Sequence, residues 1–265
     1  MKTVILTIIV ALVIGFLLGL LLGLFKRIFA VHVDPKVSQV RAVLSGANCG
    51  GCGYAGCDAF AEAVVAGQAA TNACVAGGAE CAANVAKVMG VDSQASLPKV
   101  AFLACNGSKD CAKDKAEYQG VKTCAAAQLT MNGTKACAFG CVGFGDCQAA
   151  CPFEAITMGA DGLPHVNRAK CVGCGKCVKA CPKNLFVLME ADTKGPVAQC
   201  SCKSDNKAQI KKDCSAGCFK CGMCVRKCPE QAIVLEDGIP KIDYQKCTGC
   251  QECIKACPDK VLALF

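Results

Sequence analysis

Cysteine determines the chemistry that this sequence can perform, because most of its cysteines stand at fixed spacings. The 265-residue chain contains 27 cysteines, and its second half carries four runs that each end in Cys-Pro. Thiolates at the spacing C-x2-C-x2-C-x3-C-P bind cubic 4Fe–4S clusters, which exchange single electrons. The runs therefore predict an electron carrier. Three runs have this spacing and one is longer: Cys171, Cys174, Cys177 and Cys181; Cys218, Cys221, Cys224 and Cys228; Cys247, Cys250, Cys253 and Cys257; and the longer Cys137, Cys141, Cys147 and Cys151.

The four runs are expected to work as two pairs. In two-cluster ferredoxins the fourth cysteine of each run binds the cluster of the other run. Asp161-Gly162 and Asp237-Gly238 each follow the first run of a pair and predict the turn of a β-hairpin. The extra residues of the longer run leave open which of its cysteines bind. The expected ligand sets are Cys137, Cys141, Cys147 and Cys181; Cys171, Cys174, Cys177 and Cys151; Cys218, Cys221, Cys224 and Cys257; and Cys247, Cys250, Cys253 and Cys228.

A separate cysteine group precedes these runs. Cys49, Cys52, Cys57 and Cys74 lie in or after a glycine-rich loop, whose glycines let the backbone approach a cluster closely. Residues 58–66 follow with the pattern of a short helix. The group predicts a further 4Fe–4S site, with a four-cysteine zinc site as the alternative.

Seven cysteines fall outside these sets, namely Cys81, Cys105, Cys111, Cys124, Cys200, Cys202 and Cys214. One interpretation is that they are small buried apolar residues. The other is a sixth cluster on Cys105, Cys124, Cys200 and Cys214, with Cys202 or Cys111 as substitutes. We therefore expect five clusters and allow for a sixth.

Composition excludes several classes of protein. Cysteines two residues apart in successive triplets cannot all pair with good disulfide geometry, which argues against a disulfide scaffold. The formal charge of +8 counts every cysteine as neutral; with about −2 for each cluster, five clusters would bring it to about −2 and six to about −4.

No basic–aromatic pattern indicates nucleic-acid binding. Without a dinucleotide fingerprint or a Walker loop, we expect no NAD, flavin or ATP here. His32 and His165 stand apart from any ligand pattern.

The N-terminus predicts a membrane anchor. The chain is uncharged from Val4 to Phe25, which is long enough to cross a bilayer as a helix, and Lys26 and Arg27 follow. The positive charge of Lys26 and Arg27 places the C-terminal bulk of the chain on the cytoplasmic side. A cleaved signal peptide is the alternative, but the apolar run is too long for one. Ala11, Gly15, Gly19 and Gly23 form a small-residue face that would let a partner helix approach closely.

Residues 46–63 and 137–147 resemble the B subunit of the Rnf complex, a membrane ferredoxin:NAD+ oxidoreductase coupled to Na+ or H+ transport. The first stretch resembles the family's N-terminal iron–sulfur module and the second its first, elongated ferredoxin run. The order of anchor, module, elongated run and three regular runs also fits. The resemblance implies an α+β chain divided into an anchor (1–30), an iron–sulfur module (31–97), a connecting segment (98–132), a first two-cluster ferredoxin domain (133–190), a second connecting segment (191–214) and a second two-cluster domain (215–265).

The resemblance also implies a function. The chain would accept electrons from a soluble ferredoxin and relay them to partner subunits of a complex in the inner (cytoplasmic) membrane. NAD+ reduction and ion transport would belong to those partners. Two alternatives are a related complex run in reverse, which supplies low-potential electrons to nitrogenase or a redox regulator, and a zinc-stapled binding module without a redox role.

Overall fold

The computed structural model describes residues 2–29, 34–92 and 97–265. His32 lies outside these ranges, and so do parts of the predicted linkers around it and before residue 97. The described chain combines helices with short two-stranded sheets. The helices are α1 (Lys2–Ile28), α2 (Pro35–Val43), α3 (Cys57–Val65), α4 (Gly78–Met89), α5 (Cys124–Met131), α6 (Asp146–Ala149), α7 (Lys176–Ala180), α8 (Lys207–Asp213), α9 (Met223–Arg226) and α10 (Glu252–Lys255). The strands are β1 (Lys99–Leu103), β2 (Ile156–Met158), β3 (Pro164–Val166), β4 (Phe186–Glu190), β5 (Pro196–Ala198), β6 (Ile233–Glu236), β7 (Ile239–Ile242) and β8 (Leu262–Leu264).

The predicted apolar helix is present as α1. Among the described residues it is the one helix long and apolar enough to cross a membrane, over Val4–Lys26. Its large apolar side chains are exposed and pack against no other element. A Cβ atom added at Gly15, Gly19 or Gly23 would meet nothing within 4 Å, so this face is open.

Helices α2, α3 and α4 form the small module that contains the first cysteine group. Asp34 caps α2 by accepting the backbone N–H of Lys36 at 2.8 Å. Phe60 and Val64 of α3 are buried against Val85 of α4, together with Cys57, Cys74 and Cys81. The module has few apolar side chains, and the thiol groups therefore fill part of its core.

Two ferredoxin-like units follow, and each contains a hairpin and an outer strand pair. The predicted hairpins are confirmed as β2–β3 and β6–β7, both antiparallel. Asp237 and Gly238 both have positive φ, as a tight turn between two twisted strands requires. The outer pairs are β1–β4 and β5–β8. Strands β1 and β5 come from the segments expected to connect the domains, so each unit includes a strand from the segment that precedes it.

Cysteines occupy the centres of both units. Cys147 and Cys177 are buried with Ile156 and Phe186 in the first unit. Cys224 and Cys253 are buried with Ile233 and Leu262 in the second. Modules this small hold too little apolar surface to be stable without a metal centre at these cysteines.

We predict that removing the iron unfolds residues 34–265. Metal-binding free energy is folding free energy where the ligands form the core. Treatment with an iron chelator under reducing conditions should abolish protease resistance and most of the ellipticity outside α1. A chelated protein that keeps its cleavage pattern would show that the apolar cores suffice without iron.

Candidate iron–sulfur sites

The four Cys-Pro runs share one backbone conformation when the longer run is counted from Cys141. The residues two and four positions after the first cysteine have positive φ, which lets the loop curve around a centre and present its N–H groups inward. A further cysteine then lies in a short helix that begins directly after the loop. The left-handed residues are Gly143 and Gly145, Gly173 and Gly175, Lys220 and Gly222, and Gly249 and Gln251.

The last cysteine of each run accepts the same hydrogen bond in all four cases. Its Sγ receives the backbone N–H of the residue four positions later, across the turn that the proline begins. An N–H bond to sulfur stabilises a thiolate ligand and tunes the potential of its cluster. The donor–Sγ pairs are Ala155–Cys151 at 3.4 Å, Leu185–Cys181 at 3.5 Å, Ala232–Cys228 at 3.3 Å and Val261–Cys257 at 3.3 Å.

Three expected ligand sets are brought together around common cavities or cores. Cys151 joins Cys171, Cys174 and Cys177 in lining one cavity. Cys257 joins its three expected partners in lining another, whose cysteines are Cys218, Cys221, Cys224 and Cys257. In the last set Cys228 packs against the buried cluster that contains Cys253, and Cys247 and Cys250 precede Cys253 on the same loop. Cys250 is the exposed member of this set.

The longer run differs from its expected ligand set in one member. The cavity that contains Cys141, Cys147 and Cys181 is completed by Cys124, and Cys137 does not line it. Cys141 and Cys147 are as far apart in sequence as Cys171 and Cys177, and their loop has the same left-handed residues. The run is therefore a regular one whose second cysteine is replaced by Phe144. The equal interval from first to third cysteine is the sequence signal that could have revealed this.

Two contacts hold Cys124 in that position. The Asp146 carboxylate accepts the backbone N–H groups of Cys124 and Ala125, at 2.8 and 3.0 Å, and so binds the first turn of α5. Phe144 contacts the ring of Tyr118, with centroids 5.7 Å apart, beside Cys124. Phe144 thus stands at the sequence position of the absent ligand, while α5 supplies the fourth thiol of the cavity.

Cys137 instead borders a larger cavity between the two ferredoxin-like units. This cavity has a volume of about 230 Å³. Five of the residues that line it are cysteines: Cys105, Cys137, Cys200, Cys202 and Cys214. The set contains three of the four residues expected for a sixth cluster, with Cys137 in the place of Cys124.

The cysteines of this cavity follow the internal repeat of the chain. Cys105 comes two residues after β1, and Cys200 comes two residues after β5. The Sγ of Cys105 accepts the N–H of Cys141 at 3.5 Å, and that of Cys200 accepts the N–H of Cys218 at 3.4 Å. Each repeat therefore supplies an equivalent cysteine next to the first cysteine of its first run.

A second equivalent pair completes the cavity. Cys137 stands four residues before Cys141, and Cys214 stands four residues before Cys218. Two pairs from two repeats make four thiols around one centre, which is the number that a 4Fe–4S cluster takes. Cys202 has Gly107 as its counterpart in the first repeat, so it is the cysteine without an equivalent.

The first cysteine group lies in the α2–α4 module as expected. Asn48 has positive φ, and its side-chain oxygen accepts the N–H of Cys57 at 2.8 Å. Cys57 and Cys74 are buried together with Cys81, whose thiol donates to the carbonyl of Val43 at 3.4 Å. Cys81 therefore stands next to this group as a hydrogen-bonded thiol.

The arrangement of the thiols fits clusters better than single ions. Within the described ranges, no three His, Cys, Asp or Glu side chains are close enough to hold one metal ion. Sulfurs bound to one zinc ion lie about 3.8 Å apart, because each is about 2.3 Å from the metal, whereas a cube holds its thiolates farther apart. All 27 cysteines lie in the described ranges, and each is free of disulfide bonds. His165 hydrogen-bonds to Asp161 at 3.1 Å.

Burial keeps five of the metal-free thiols protonated. It raises the pKa of Cys141 and Cys177 to about 12 and that of Cys147, Cys214 and Cys218 to about 11. A thiolate ligand must lose its proton, so assembly of each cluster releases protons. The bound iron then balances the negative charge of the thiolates, which burial alone would disfavour.

Comparison with known proteins identifies the family. A model described as "Putative Fe-S cluster" matches residues 44–76, a 4Fe-4S binding domain matches 163–186, and a 4Fe-4S dicluster domain matches 217–261. The B subunit of the Na(+)-translocating ferredoxin:NAD(+) oxidoreductase complex of Acetobacterium woodii is 43% identical over 230 residues, which cover 85% of this chain and 67% of the relative. The chain belongs to this family of B subunits.

Two further relatives support the assignment. The B subunit of the proton-translocating ferredoxin:NAD(+) oxidoreductase complex of Clostridium ljungdahlii is 42% identical over 84% of this chain and 78% of its own length. The B subunit of the ion-translocating oxidoreductase complex of Methanosarcina acetivorans is 36% identical over 90% and 89%. The protein is thus an iron–sulfur electron-transfer subunit of a multi-subunit ion-translocating ferredoxin:NAD+ oxidoreductase, as the resemblance implied.

One buried cation lies among the thiols of this Rnf-type subunit. Lys135 is 6% exposed, and its ammonium group donates to the carbonyl of Gly107, a residue that lines the 230 Å³ cavity. No carboxylate in the described ranges forms an ion pair with it. It is near enough to Cys141 to favour the thiolate form there. A buried charge requires an opposite charge nearby, and thiolate-bound clusters would provide it.

We predict that Lys135→Met makes the midpoint potential of the neighbouring clusters more negative. The ammonium favours the reduced cluster, which carries one more negative charge, by on the order of 1–2 kcal/mol at an effective dielectric constant of about 20. An EPR-monitored redox titration measures the shift.

Lys212→Met, at an exposed lysine, provides the matched control and should leave every potential unchanged. Equal potentials in wild type and Lys135→Met, at equal iron content, would show that Lys135 does not act on the clusters.

Proposed function

We propose that this subunit holds six 4Fe–4S clusters in a single line and relays electrons along it. When bound, the clusters supply the single-electron redox chemistry. The chain holds them, orders them and keeps water from the buried ones. The proposed ligand sets are Cys49, Cys52, Cys57 and Cys74; Cys151, Cys171, Cys174 and Cys177; Cys124, Cys141, Cys147 and Cys181; Cys105, Cys137, Cys200 and Cys214; Cys218, Cys221, Cys224 and Cys257; and Cys228, Cys247, Cys250 and Cys253.

Contacts between neighbouring sets support the linear order at its first end. Gly51 of the N-terminal loop lies against Cys174, such that an added Cβ would be 3.0 Å from the Cα and carbonyl oxygen of Cys174. Cys177 in turn lies in the same buried cluster as Cys147 of the following set. The N-terminal site would therefore exchange electrons with the first ferredoxin-like unit.

The single observation that carries the proposal is the cysteine cavity between the two repeats. Its Cys105 accepts the N–H of Cys141 from one unit, and its Cys200 accepts the N–H of Cys218 from the other. Backbone contacts fix the two units around it: Asn106 donates to Gln199 at 2.9 Å. A cluster on the two equivalent cysteine pairs would lie between the two units and connect their clusters.

The opposite end of the line is open to a soluble donor. Cys250 is the exposed cysteine of the last set, and Lys255 lies next to it. We propose that reduced ferredoxin docks here and that electrons leave through the N-terminal module to other subunits. Lys26 and Arg27 follow the apolar helix, and we therefore place the cysteine modules on the cytoplasmic side of the membrane. The face of Ala11, Gly15, Gly19 and Gly23 would pack on a partner helix.

We predict that Cys105→Ala removes the bridging cluster and stops the relay. Iron content should fall from about 24 to about 20 atoms per chain, with about four in each cube. Membranes supplied with reduced ferredoxin should form NADH with the wild-type protein and lose this activity with the variant.

Cys111→Ala is the matched control, because Cys111 is an unassigned cysteine that does not line the cavity. It should keep the full iron content and rate. Full iron and a wild-type rate in Cys105→Ala would contradict the bridging role.

We predict that Gly51→Ala slows electron exchange with the N-terminal site. The added methyl would lie 2.6 Å from the Val75 side chain and 3.0 Å from the Cys174 backbone, so the two loops must separate. Freeze-quench EPR should show slower reduction of the N-terminal cluster at unchanged iron content. Ala55→Ser, at an exposed position of the same loop, should reduce it at the wild-type rate. Equal rates for both variants would exclude this contact as the route.

A further inference from the structure

The bridging cavity contains one cysteine more than a cluster can use. Five cysteines line it, and all except Cys202 belong to pairs related by the internal repeat. Cys202 is 6% exposed, so it is held inside the site and does not face solvent. Its counterpart Gly107 has no side chain, which makes the fifth thiol a feature of the second repeat alone.

Cys202 lies next to one particular ligand. Cys137 packs against the buried cluster that contains Cys202, and both line the cavity. The same neighbourhood exists in the first repeat, where a Cβ added to Gly107 would lie 3.5 Å from the Sγ of Cys214. The repeat therefore directs residue 202 toward Cys137, as it directs residue 107 toward Cys214.

We propose that Cys202 is a reserve ligand that exchanges with Cys137 at one iron of the bridging cluster. In the exchange the Fe–S bond to Cys137 breaks and an Fe–S bond to Cys202 forms. The proton of the Cys202 thiol passes to the Cys137 sulfur as the two exchange at the iron. The charge and the oxidation state of the cluster do not change. The inference rests on the proposed sixth cluster.

The exchange has a physical use at this position. The bridging cluster takes its ligands from both repeats, so relative motion of the two units would strain its Fe–S bonds. Cys200 and Cys202 lie on the same segment after β5, whereas Cys137 precedes the first unit's own run. A corner that accepts either thiol would keep four ligands while the units shift.

Iron content of the purified full-length protein tests the proposal. We expect Cys137→Ala to keep about 24 iron atoms per chain, because Cys202 replaces the lost ligand, and Cys137→Ala/Cys202→Ala to keep about 20. The matched control Cys137→Ala/Cys111→Ala removes a cysteine that does not line the cavity and should keep about 24. EPR quantitation of the reduced proteins should follow the same order.

The outcomes separate this inference from the proposed function. If Cys105→Ala and wild type hold equal iron, the bridging cluster is absent and both proposals fail. If Cys105→Ala loses one cluster and Cys137→Ala loses it too, the bridging cluster stands and the reserve ligand is wrong. If the Cys137→Ala/Cys202→Ala variant keeps about 24 iron atoms, neither thiol is a ligand and the exchange is excluded.

Discussion

The described fold from α2 onward depends on grouping thiols around shared centres. The loops of the runs adopt left-handed conformations at fixed positions, and the last cysteine of each run accepts an N–H four residues later. Hairpins and outer strand pairs add apolar residues such as Ile156 and Ile233 around these groups. Without the cysteine groups at their centres, the units would retain sheets of only two strands, whose stability in water is marginal. The same thiols therefore provide both the structure and the electron path.

The internal repeat produces a group of cysteines in addition to the two ferredoxin-like units. Each repeat places one cysteine after its first strand and another four residues before its first run. These cysteines meet at the junction and form the cavity between the units. Lys135 adds a buried positive charge near the same place. A junction that would otherwise interrupt the relay thus acquires the residue types of a redox centre.

Much of this arrangement could be predicted from local sequence. The regular runs, the hairpin turns and the apolar helix each follow from short-range spacing or composition. The pairing of β1 with β4 and of β5 with β8 could not, because both partners are short and far apart in sequence. The position of Cys124 in the cavity of Cys141, Cys147 and Cys181, which Cys137 does not line, could not be predicted for a different reason. Counting from Cys137 hid the regular interval from Cys141 to Cys147, and the compensating thiol comes from a separate helix.

The central claim is that a cluster bridges the two ferredoxin-like units. The most direct measurement is a cryo-EM density map of the purified complex. The account predicts six compact metal densities in a line within this chain. Counted with the N-terminal module as the first, the fourth density should be bound by Cys105, Cys200, Cys214 and either Cys137 or Cys202. A map with five densities and close-packed protein between the two units would contradict it.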